Sequence, residues 1–162
     1  MDATEDLSHQ LWTLRELLEQ LVFKLEVQML LLSAGRARWI PFASAEVEAI
    51  IEAIAEVEIA REAATRRVTG QRSLPPTTSL SDLGAHLGAP WGPVLQQHRL
   101  HLLSLQAEVE DLSRSNHDLA RHGMARTREV IAALGGPELD VYNPSGQPTP
   151  LSVNAVRLDR TV

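Results

Sequence analysis

The chain has 162 residues, 44% of them hydrophobic and only 4% aromatic. Leu, Ala, Glu and Arg dominate, a composition suited to long helices rather than to a sandwich or α/β core, which draw more on aromatics. A net charge of −6 disfavours a nucleic-acid surface, and the lack of cysteine excludes a disulfide scaffold, a thiolate zinc site and a cysteine nucleophile.

The opening residues Met1-Asp2-Ala3-Thr4-Glu5-Asp6 are acidic and lack the apolar region of a signal peptide. No apolar run approaches the roughly 20 residues of a bilayer span. The expected compartment is the cytoplasm, without membrane insertion. The prolines stand at 41, 75, 76, 90, 93, 137, 144, 148 and 150, so long helices are confined to the stretches between them.

In the first stretch Leu7, Leu11, Leu14, Leu18, Leu21, Leu25 and Leu32 alternate spacings of four and three, interrupted only by Gln28. This predicts a helix over 6–34, stopped at Gly35. Trp39-Ile40-Pro41-Phe42 reads as a connector. Ser44 then reads as an N-cap for a second helix over 45–69, with Val47, Ile50, Ile54, Val57, Ala64 and Val68 as its seam, Arg61 in one seam slot and Gly70 as its stop. Ser79-Leu80-Ser81-Asp82 resembles a capping box and predicts two turns ending near Leu87.

The third long stretch is the most regular. From Trp91 through Leu95, His98, Leu102, Leu105, Val109, Leu112, Asn116 and Leu119 to Gly123, Arg126 and Val130 the four–three alternation persists, which predicts a helix over 91–134 stopped by Gly135-Gly136-Pro137. No period follows residue 137. The expected architecture is all-α: an antiparallel bundle of three long helices with a short connector helix, a helical domain over 1–136, and a mobile tail over 137–162.

At 1.5 Å per residue these helices measure roughly 43, 37 and 66 Å. Antiparallel packing would leave about 23 Å of the third uncovered. That predicts an exposed segment over 119–134 whose apolar residues are Leu119, Val130, Ile131 and Leu134, flanked by Arg121, Arg126 and Arg128. An apolar stripe of this kind marks a partner surface, filled by another protein or by a second copy of the chain.

Catalytic and metal patterns are weak. His98 and His101 are three apart, but His98 is a seam residue and no Glu-x-x-His pair accompanies it; His117 and His122 point apart. The second helix's glutamates read as its wet face. Phosphate-binding glycine motifs and a nucleophile elbow do not occur. Neither a metal, a cofactor nor an enzymatic activity is expected. Asn116 in the seam reads as a register device. Gly123, inside the helix, either admits another backbone, marks a joint, or is a tolerated weak spot.

The run Leu11-Trp12 to Leu32 is similar to the opening helix of FlgN-type flagellar export chaperones, particularly their actinobacterial branch. Further resemblance lies in Ala34-Gly35-Arg36-Ala37-Arg38-Trp39, Glu46-Val47-Glu48-Ala49, Leu74-Pro75-Pro76, Ser79-Leu80-Ser81-Asp82-Leu83, Ala89-Pro90-Trp91 and Glu108-Val109-Glu110-Asp111-Leu112 with Asn116. It implies a cytoplasmic, non-enzymatic helper of type III secretion. Its clients would be hook-associated proteins of the hook–filament junction. Their C-terminal amphipathic segments would be shielded from premature assembly and delivered to the export gate. The resemblance also gives Tyr142 a role in docking at the gate; Tyr142 and Gly146 match the family pattern, whereas Asn143 and Gln147 depart from it. The alternative is a structural coiled coil that homodimerises through the same apolar seam.

Overall fold

The computed structural model describes residues 2–134, 140–142 and 148–150. Its elements are α1 (Ala3–Ser33), a 3₁₀ turn (Ala37–Trp39), α2 (Ile40–Gln71), α3 (Leu80–Leu87), α4 (Trp91–Ala133), β1 (Asp140–Tyr142) and β2 (Pro148–Pro150). The chain divides into two compact units, 1–119 and 120–162. The expected domain boundary after residue 136 lies outside the described residues, as does most of the expected mobile tail.

The all-α expectation holds for the first unit. α1 starts at Ala3, where the backbone N–H of Asp2 donates to the Glu5 carboxylate at 3.0 Å. It ends in a Schellman turn: Gly35 takes φ +65°, its N–H reaches the Leu32 carbonyl, and Arg36 N–H reaches the Leu31 carbonyl at 2.9 Å. The connector read across Trp39–Phe42 is instead the 3₁₀ turn and the first turn of α2. Pro41 sits at the helix start, where its missing N–H leaves no bond unmade. Ser44 is therefore not a cap; it lies inside α2, and its hydroxyl accepts from Gln28 Nε2 at 3.0 Å. At the other end Gly70 stays helical, and the stop falls on Ser73, a non-glycine residue at φ +55°. Leu74 N–H closes that turn on the Thr69 carbonyl at 2.9 Å.

α1 and α2 form the expected antiparallel hairpin. Lys24 pairs with Glu46 at 2.9 Å near the turn, and Arg67 pairs with Asp6 near the open end. α3 plugs that open end. Ser79 caps it as expected, accepting from the Asp82 N–H at 3.1 Å. Leu83 is completely buried among Leu7, Leu11, Ala64, Val68 and Leu95. The plug needs two glycines: a Cβ on Gly92 would stand 2.7 Å from the Gly84 carbonyl oxygen, and one on Gly84 would stand 3.3 Å from the Gly92 carbonyl oxygen. α3 and the first turn of α4 thus touch backbone to backbone.

The first unit's part of α4 lies over the hairpin, parallel to α1. Its contacts advance together along both helices, from Ser8–His98 to Leu25–Asn116. A second core cluster, Leu21, Leu25 and Val47 with Ile54, Val109 and Leu112 against them, forms near the hairpin turn. Between the clusters is an open cleft of about 370 Å³, lined in part by Leu14, Leu18, Ile54 and Leu102. Arg61, the polar residue in the α2 seam, borders it and grips Glu58 with two nitrogens, at 2.8 to 3.1 Å. A charged side chain in a seam slot is tolerated here because its partner is one turn away and both side chains remain partly exposed.

Polar groups also join α1 to α4. His98 is buried, shares a 3.3 Å hydrogen bond with Ser8, and meets the Trp12 ring edge-to-face at 5.2 Å. Arg15 stacks on Trp12, pairs with Glu19, and donates to His101 Nδ1 at 3.3 Å. Asn116 is buried and donates to the Leu25 carbonyl at 2.9 Å and to Gln28 Oε1 at 3.0 Å. It is a register device in the expected sense.

Burial, then Arg15 and His101, hold the His98 imidazole below its ordinary pKa. The folded chain keeps His98 neutral at a pH where the unfolded chain takes up a proton, near 6.5. This contribution to stability is complete above that value and is lost as pH falls below it through the folded value. The thermal midpoint should drop between about pH 7.5 and about pH 5.5, and the drop should shrink in His98→Gln; equal drops in the two proteins would refute the assignment. Gly92→Ala should cost about 1–3 kcal/mol in urea unfolding, because backbone must shift. Gly70→Ala, where an added Cβ meets nothing within 4 Å, should show no such loss.

Candidate functional site

Residues 120–134 carry three arginines and a single glutamate, in a chain that is acidic overall. At about 100° per residue, Ala120, Met124, Thr127, Ile131 and Leu134 fall in one stripe, with Gly123 and Val130 along one edge. Arg121 and Arg128 border it on one side and Arg126 on the other. Every residue from 121 to 134 is exposed. Val130 and Ile131 each show 57% of their surface, Met124 57% and Leu134 83%. Among the described residues none covers this face, and apolar side chains left so exposed in a row mark a contact surface.

Of the residues singled out from sequence, Val130, Ile131 and Leu134 therefore share one bare stripe, with Arg121, Arg126 and Arg128 at its margins. Leu119 differs: it is half-buried and is the last residue of the first unit. Met124 belongs to the stripe too, although the heptad count passes over it. Heptad counting drifts by about 20° per seven residues against a straight helix, so a seam followed from Leu95 reaches Arg126 when the apolar face has moved on to Met124 and Thr127. Counting at 3.6 residues per turn finds it.

The stripe is apolar along its centre and charged at its margins. The ionisable side chains of this segment are Arg121, His122, Arg126, Arg128 and Glu129, and all of them are exposed. Thr127 donates its hydroxyl to the Gly123 carbonyl at 3.0 Å, an ordinary bond within a helix. Among the described residues no cluster of three or more histidines and acids could hold a metal ion.

Tyr142 is in β1. Its backbone pairs with Pro148 in an antiparallel two-stranded ribbon that also joins Val141 to Thr149 and Asp140 to Pro150. The hydrophobic pattern predicts no element beyond 137. Strands of three residues are too short for alternation to register, and prolines in the second are tolerated because a two-stranded ribbon has only edges.

The family model described as FlgN protein matches residues 1–150. The chain belongs to the FlgN family. The FlgN match covers α1 to α4 and the ribbon, and it gives the protein the role of a flagellar export chaperone. No curated protein and no solved structure matches the chain. No helix among the described residues is long and apolar enough to cross a membrane.

Gly123 lies beside the stripe with nothing within 4 Å of an added Cβ. Gly123→Ala should therefore raise helix stability by about 1 kcal/mol, read as a higher thermal midpoint by circular dichroism. A lower midpoint would mean that this position is not open helix.

Proposed function

We propose that this FlgN-family chaperone binds the C-terminal amphipathic segment of a hook-associated protein along the stripe from Met124 to Leu134. The observation carrying the proposal is the exposed run Met124, Val130, Ile131 and Leu134. An apolar helix face without cover gains about 1.5–3 kcal/mol for each large side chain that a partner buries. A client segment that is disordered before assembly supplies the matching face by folding as it docks, a helix-in-groove mode. While docked, the client's own assembly surface is hidden, which stops premature polymerisation in the cytoplasm. Arg121, Arg126 and Arg128 orient the client through its acidic side chains, which acts on specificity and on association rate more than on affinity. Leu119, half-buried, supports the helix rather than the contact.

The handover follows from separation of tasks. Tyr142 lies in the ribbon, eight residues past the stripe's last residue, and its assignment to the gate rests on the resemblance of Tyr142 and Gly146 to the family pattern. Tyr142 carries the docking at the export gate.

The test is a triple substitution, Met124→Asp, Ile131→Asp and Leu134→Asp, at exposed positions in the last turns of α4 and just past its end. Helicity should persist, and pull-down of a peptide copying the organism's own hook-associated C-terminal segment should disappear. Capture at wild-type strength would show that the client docks elsewhere. Tyr142→Ala should keep capture and reduce export of the junction proteins; unchanged export would remove the docking role.

A further inference from the structure

A second exposed face has the opposite charge. On α2, Ile51, Ala55 and Ile59 recur every four residues, and all three are exposed, Ile59 by 71%. Three of the neighbouring acids are already engaged: Glu46 with Lys24, Glu58 with Arg61 and Glu62 with Arg66. Glu48, Glu52 and Glu56 form no ion pair among the described residues, and all three are exposed. The same is true of Arg121, Arg126 and Arg128 at the margins of the other stripe. One chain thus carries an acidic apolar face and a basic apolar face, each bare, each on a regular helix, with three unpaired charges apiece.

We infer that in the absence of client a second copy of the chain occupies the basic stripe through the acidic outer face of its α2. Each copy owns both faces, so every copy can offer its α2 face and receive one on its stripe. Apolar side chains provide burial, and opposite charges set the orientation and reject the like-charged pairings of α2 on α2 or stripe on stripe. The inference rests on the stripe assigned above to the client and adds an occupant for the empty state. Client and second copy then compete for one surface, and the free chaperone does not leave that surface open to other apolar segments. The interface differs from a coiled coil through the α4 seam, because seam residues from Leu95 to Leu119 are buried or half-buried within the first unit.

Charge exchange in the full-length chain tests this by sedimentation velocity at low salt. Wild type should show a concentration-dependent dimer. Glu48→Lys, Glu52→Lys, Glu56→Lys in one variant, and Arg121→Glu, Arg126→Glu, Arg128→Glu in another, should each weaken it by at least about tenfold. An equimolar mixture of the two should recover a heterodimer. A monomeric wild type, variants that dimerise like wild type, or a mixture that stays monomeric would each overturn the inference. All six positions are exposed, and circular dichroism confirms folding. The α2 variant should still capture the client peptide at full strength. Self-association that fails while the Asp-substituted stripe still abolishes capture removes only the second copy; capture that survives the Asp substitutions removes the client assignment by itself.

Discussion

The position of α4 on α1 is set by two buried polar contacts far apart in sequence. Ser8 meets His98 near one end, and the Leu25 carbonyl accepts from Asn116 near the other. Apolar seams of repeated leucines are nearly degenerate to sliding by a turn, since each slip replaces one leucine by another. A buried amide or imidazole is not, because a slip would leave it without its partner at a cost of about 1–3 kcal/mol. This pair of contacts therefore decides which residues of α4 the hairpin covers within the first unit, and where its cores form.

The plug at the open end works by a different means. Leu83 fills the space between Leu7 and Val68, and the close approach of Gly84 and Gly92 lets α3 turn into α4 without a side chain between them. Shape, not polarity, fixes this junction. The two devices act on the same helix, so the direction in which α4 leaves the plug and the register in which it lies agree. Such agreement between local and distant preferences is what gives a helical sequence one structure instead of several sliding alternatives.

Much of this was legible in the chain's spacing. The leucine alternation located α1 and α4 to within three residues at each end, and Ser79 was recognised as a cap by the Asp82 three residues on. The errors came from reading punctuation without context. Pro41 looks like a breaker but is harmless in a first turn. Gly70 looks like a stop, but it faces open space and stays helical, while Ser73 accepts the left-handed conformation that a glycine would have signalled. The ribbon of three-residue strands lies below the length at which any period can be seen. On the stripe, the arginine margins and three of the four large apolar residues were found, and Met124 was lost to a repeat that drifts off a straight helix. Trp12, Arg15 and His98 come together from separate helices, and no local pattern announces that.

The cluster around Trp12 has an optical consequence. Its indole is half exposed, edge-on to the His98 ring and beneath the Arg15 guanidinium, which lies 4.9 Å from the ring centre. Trp39 instead stands at the hairpin turn beside Phe42 and Arg38, and Trp91 opens α4. The molecule's three indoles are thus distributed over three different junctions, the lateral contact of two helices, the bend and the start of the longest rod. Single-tryptophan versions of the protein would emit from one junction at a time, so loosening of each could be followed by its own fluorescence without any attached dye.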